Sequence, residues 1–266
     1  KNKSCFLLSV EDACTIAKTA CIPYLQKKYG ERYQRLVFRS VGITQSHVDT
    51  LIAKCKAVDK GYMRYVCKKQ FGETVVQVFY SEKTPKSIVN EITWTFADGL
   101  QEGMYAMEDV SLEGQLIQLL KLRGIKISVA ESFTGGGIAK KLTSVSGASE
   151  VYFEGLNTYN EGAKIKRLGV LEKTLRDFGA VSEKTAYEMA SGLIATRDRD
   201  VSIATTGLAG PNSDQSGLPV GLCFIAVGTR EKVYVYRYQF DGSREGITNT
   251  AITYALFLAY KHVKNI

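Results

Sequence analysis

At 266 residues the chain exceeds the roughly 150 of a typical domain, and its 45% apolar residues, 23% charged residues and 4 prolines exclude a disordered or proline-rich protein. No run approaches the roughly 18 uninterrupted apolar residues of a membrane span, and the opening KNKSCFLLSVED lacks the apolar core of a secretory signal. A soluble, cytoplasmic protein is expected. The net charge of +8 is uneven, with 16 basic and 10 acidic residues before position 107 against 19 and 17 after it. Two domains, 1–106 and 107–266, are expected from this split and from glycine, of which 6 lie before position 107 and 18 after it. The start at Lys1, without Met, suggests a piece of something longer. The six cysteines (Cys5, Cys14, Cys21, Cys55, Cys67, Cys223) form no CxxC pair, and with only two His neither a zinc cage nor a disulfide framework is expected.

In chain order, residues 11–28 read as a helix, 35–42 as a strand, SHVDTLIAKC as a helix, MRYVCKK and ETVVQVFYSE as strands, and 85–101 as a closing helix. The basic cluster Lys54, Lys56, Lys60, Arg64, Lys68 and Lys69 beside Tyr62 and Tyr65 raises nucleic acid as a partner, yet it is spread over several elements and reads as a solvated surface. From Ser111 the pattern becomes helix, strand (KISVAES), then a helix opening at Gly135-Gly136-Gly137. A helix capped by Ser182 runs from Glu183 to about Arg197, followed by strands VSIATTG, LCFIAVG and KVYVYRYQF. A last helix carries Ile247, Ala251, Tyr254, Ala255 and Leu258 on one stripe. The fold class expected is α/β, with a layered C-terminal domain built on a mixed sheet and a smaller α+β domain before it. The run 197–200, Arg-Asp-Arg-Asp, reads as a solvated helix end.

Chemistry concentrates in four places. AESFTGGG puts Ser132 and Thr134 at the carboxyl end of a strand, where ligands collect in α/β sheets, and its Gly135 and Gly136 turn could offer backbone N–H groups to a phosphate or oxyanion. A packing turn capped by Ser132 or Thr134 reads equally well. Tyr159 and Lys164 follow in YNEGAK. With no His between residues 107 and 261, the base for a serine nucleophile is more plausibly a lysine of lowered pKa than an imidazole. TTGLAGP offers the Thr206 hydroxyl and close backbone approach at Gly207, and Arg244 could clamp a phosphate or carboxylate.

Taken together, AESFTGGGIAKKLT, FEGLNTYNEGAKIKRLGV, FGAVSEKTAYEMASG, TTGLAGP, LPVGLCFIAVG and FDGSRE resemble the C-terminal domain of the competence/damage-inducible CinA family, which also occurs alone as nicotinamide mononucleotide deamidase. Residues 35–102 are similar to that family's KH-type middle domain, and residues 1–34 to the tail of its N-terminal domain. The resemblance implies Ser132 as nucleophile, Lys164 as general base, Tyr159 and Thr206 near the reacting group, and Thr134, Gly135, Gly136, Gly207 and Arg244 around the substrate. It implies no metal or redox cofactor, a homodimer, and a possible competence or recombinase protein as partner. RNA binding is not implied, because no GxxG loop lies between residues 35 and 105. Phe133 stands where the family usually has Cys, NEGAK replaces SNEAK, Leu218 stands for Lys and Ser243 for Asp. Phe133, Leu218 and Ser243 motivate a rival expectation, a catalytically weak or inactive binding or regulatory module of the competence and DNA-damage response.

Overall fold

A computed structural model describes residues 22–29, 33–195, 199–213 and 216–266. Residues 11–21 of the first expected helix, Cys5, Cys14 and Cys21, and positions 197–198 lie outside the described residues. The elements are α1 (Ile22–Tyr29), β1 (Tyr33–Val41), α2 (Gln45–Asp59), β2 (Met63–Gln70), β3 (Glu73–Ser81), α3 (Lys86–Leu100) and β4 (Met104–Ala106). Then follow α4 (Leu112–Arg123), β5 (Ile127–Glu131), α5 (Gly137–Thr143), β6 (Tyr152–Asn157), α6 (Glu161–Leu168), α7 (Glu172–Phe178) and α8 (Glu183–Ile194). The chain ends with β7 (Val201–Gly207), β8 (Leu222–Thr229), β9 (Val233–Gln239) and α9 (Arg244–Asn265). Among the described residues no helix is long and apolar enough to cross a membrane.

The first sheet is antiparallel in the order β2-β3-β1-β4. Its strands alternate, so Phe38, Val76 and Val78 share one face with α2 and α3, where the Phe38 and Phe96 rings stack 4.8 Å apart. This sheet rests on α9. The Tyr254 ring is wedged where Gly42 and the hairpin turn at Gly72 pass, and a Cβ on Gly72 would sit 2.7 Å from it. Arg35 and Arg39 pair with Asp109 at 2.8 and 3.0 Å, and Val41, Tyr105 and Ala106 join the apolar core of the second sheet.

The second sheet has the order β6-β5-β7-β8-β9, with β5 parallel to β6 and β7 and the remaining pairs antiparallel, which is the mixed sheet expected. Both faces are covered. Ile127, Val129, Val201 and Ile203 pack with residues of α4, α5 and α9, whereas Ala130, Ala204, Phe224 and Ala226 pack with residues of α6, α7 and α8. All five residues of β5 are buried, as a central strand covered on both faces requires. Two helices, α6 and α7, lie between the Tyr159 segment and Ser182, where no element was expected. The α8 helix is capped as expected, with Ser182 Oγ accepting from Thr185 N–H at 3.2 Å.

Candidate active site

The two-residue period of the strands decides which side chains meet. Along β5, Ile127, Val129 and Glu131 turn to the α5 side and Ser128 and Ala130 to the α8 side; the next residue, Ser132, continues the second set towards α6. Its N–H donates to Thr205 O on neighbouring β7 at 3.1 Å, so the strand pairing runs on one residue past β5. On β7 the same alternation sends Thr206 to the Ser132 side and Thr205 to the other, where Thr205 Oγ1 lies 2.8 Å from Thr134 Oγ1.

Lys164 arrives on α6. Asn160 caps this helix by accepting from Gly162 N–H at 2.8 Å, Gly169 ends it at φ +68°, and Lys164 and Leu168, four residues apart, form its buried stripe. The side chain of Lys164 is 1% exposed, and its Nζ lies 3.0 Å from Ser132 Oγ, 2.7 Å from Thr158 O and 3.4 Å from Tyr159 O. Burial lowers its pKa from 10.5 to about 8, and the charge of Glu161 opposes that only in part. About a tenth of such lysines are neutral at pH 7, against a few in ten thousand for an ordinary one. A neutral amine has two hydrogens and one lone pair. The carbonyls of Thr158 and Tyr159 can take the hydrogens, leaving the lone pair for the Ser132 hydroxyl.

The remaining residues form a rim. Arg244, at the first turn of α9, donates to Gly210 O at 2.6 Å and to Tyr159 Oη at 3.1 Å, joining the loop after β7 to the segment before α6. Tyr159 is exposed, whereas Thr206 is buried and its hydroxyl donates to Ala180 O at 2.6 Å. That proton is therefore engaged, and what Thr206 presents to a ligand is acceptor capacity. Gly207 answers a packing need, since a Cβ there would meet Cys223 Cα and Leu222 O at 2.9 Å.

The free N–H groups expected at the glycine run are not free. Gly135 N–H donates to Ser132 O and Gly137 N–H to Thr134 O, while Gly136, Ile138 and Ala139 donate to the carboxylate of Glu131. Gly135 and Gly136 are needed for their backbone, at φ +63° and +94°. Neither Ser132 nor Thr134 caps α5. Glu131 does, and its place on the α5 side of β5 was available from strand alternation alone.

Each departure at the rim has a structural occupation. Phe133 is buried with Ala209, Cys223, Ile247 and Ala251, under α9 and away from Lys164. Ser243 Oγ caps α9 by accepting from Gly246 N–H at 3.1 Å, and Leu218 packs against the core that holds Leu168 and Leu222.

Residues 109–263 match the model of the CinA C-terminal domain. The chain belongs to the CinA family. A relative from Caldicellulosiruptor saccharolyticus whose name calls it competence-damage inducible is 35% identical over 246 residues, which are 92% of this chain and 60% of that protein. A CinA-like protein of Kosmotoga olearia is also 35% identical, over 90% of this chain and 58% of its own. The chain thus spans about three fifths of the length of these CinA relatives. Among solved structures, a CinA superfamily protein from Klebsiella pneumoniae matches with TM-score 0.57 and 30% identity, over 58% of this chain and 97% of its own. One from Escherichia coli matches with TM-score 0.55 and 36% identity, over 56% and 88%.

Proposed function

We propose that this CinA chain is an amidohydrolase that converts nicotinamide mononucleotide to nicotinate mononucleotide and ammonia. The observation that carries the reading is a lysine 1% exposed, with its Nζ 3.0 Å from the hydroxyl of a serine at a strand end. Ser132 Oγ attacks the carboxamide carbon as neutral Lys164 takes its proton. The C–N bond then breaks, and nitrogen leaves as ammonia with the proton Lys164 returns. Water attacks the resulting ester, Lys164 accepts its proton and passes it to Ser132 as the ester bond breaks, and the acid product loses its remaining proton to solvent and departs as the carboxylate. Among the described residues the N–H groups of Phe133 and Thr134 have no protein partner, so they are the donors assigned to the oxyanion. The exposed guanidinium of Arg244 is the cation assigned to the phosphate.

Incubation with nicotinamide mononucleotide should yield ammonia and nicotinate mononucleotide in equal amounts. Folded protein that releases neither would turn the reading to a binding module. The pH dependence is a second test. A base that must be neutral gives a rate rising about tenfold per pH unit below 8 and level above it. A flat profile from pH 6 to 9 would remove Lys164 from that role.

A further inference from the structure

Glu131 is tied to both halves of the dyad. Its side chain, 1% exposed, accepts from Gly136 N–H at 3.1 Å and Ile138 N–H at 3.0 Å on Oε2, and from Ala139 N–H at 2.8 Å on Oε1. These three bonds close the turn that starts at Ser132. Its own carbonyl accepts from Thr158 N–H at 2.8 Å, and the carbonyl of Thr158 in turn accepts from Lys164 Nζ at 2.7 Å. Hydrogen bonds to an ionised carboxylate are stronger than those between neutral groups, and in a buried site they hold direction as well as distance.

We propose that Glu131 is a positioning residue: its carboxylate locks the turn from Phe133 to Ala139 so that Ser132 Oγ stays within reach of Lys164 Nζ. The inference rests on the dyad proposed above. A carboxylate that served only to stabilise the fold would, when replaced, lower stability and leave the reactivity of folded protein unchanged. A carboxylate that positions the serine would change reactivity in the folded fraction, because displacement of a reacting atom by about 1 Å can lower the rate about a hundredfold.

The test uses two readouts on the full chain, amide turnover and the rate at which a fluorophosphonate labels Ser132, each normalised to folded protein. Glu131→Gln keeps the size but turns an amide NH2 against N–H donors. It should lower kcat and the labelling rate together by about tenfold to a hundredfold, with KM changed by less than about threefold. Glu131→Asp, which keeps the charge but withdraws it by one methylene, should fall between Gln and wild type, and it decides the matter if the Gln variant does not fold. Ser111→Ala removes the cap of α4, where Ser111 Oγ accepts from Gly114 N–H at 3.2 Å, and should lower stability while leaving both rates unchanged. Wild-type labelling by folded Glu131→Gln, or by Glu131→Asp in its place, would overturn the inference. Wild type that labels but releases no ammonia would remove only the amide substrate, and the labelling rates would still decide the role of Glu131. Wild type that does neither would remove the dyad and this inference with it.

Discussion

Lys164→Met should lower amide turnover by about a thousandfold, within the range found for loss of a positioned general base, and at the same time make the protein more stable at pH 7. The two effects share a cause. Burial holds the folded pKa at about 8 against 10.5 in the unfolded chain, so the unfolded state binds more protons between those values. Stability therefore rises with pH from about 8 to 10.5, and below 8 the full penalty, about 3 kcal/mol, is present. Methionine fills a similar volume and has no charge to desolvate. Its thioether cannot donate to Thr158 O or Tyr159 O, which forfeits about 1–3 kcal/mol, so the net gain at pH 7 is at most about 2 kcal/mol. Denaturant unfolding at pH 7 and pH 9.5 checks this. The variant should be the more stable at pH 7 and should lack the wild-type rise between the two. A less stable variant at pH 7 would mean that the lysine's bonds outweigh its desolvation.

Gly192→Ala should destabilise the protein by about 2–3 kcal/mol, the opposite of what helix propensity predicts. In an exposed helix interior the change would gain about 1 kcal/mol. At Gly192, in α8, the new Cβ would overlap the carbonyl oxygen of Leu168 and lie 2.7 and 3.0 Å from that residue's carbonyl carbon and Cα. These are backbone atoms at the end of α6, and they can yield only if the helix moves. Leu168 lies one turn from Lys164, so the same displacement reaches Nζ, and turnover should fall about tenfold or more. A shift of the denaturant midpoint and kcat measured on folded protein read both effects. An alanine variant of raised stability would show that α6 and α8 are not packed this closely.

The order of strands and helices was legible where apolar periodicity is strong. Ile247, Ala251 and Leu258 lie buried on α9, and Val76 and Val78 lie buried on β3 as their alternation indicates. No helix was expected over α6, although Asn160 is its cap and the spacing of Lys164 and Leu168 is helical. The contact between Ser132 and Lys164 was foreshadowed by chemistry, since a domain with no His before residue 262 leaves lysine as the more plausible partner for a serine. Glu131 was missed for a different reason. The glycine run suggested an anion site for a ligand, while the anion that fills it stands one residue before the serine. Strand alternation separates Glu131 and Phe133 from Ser132, so neither the ring of Phe133 nor the carboxylate intrudes on Lys164. The proton of Thr206 is committed to Ala180 O by a loop contact that no local pattern announces.

Ser132 is proposed here as the nucleophile of an amide hydrolysis driven by Lys164. Ammonia release from nicotinamide mononucleotide at pH 8.5, measured for wild type beside Ser132→Ala of the same thermal midpoint, tests it most directly. Wild type should release ammonia, and the variant should release it about a thousandfold or more slowly. Equal release by both would contradict it.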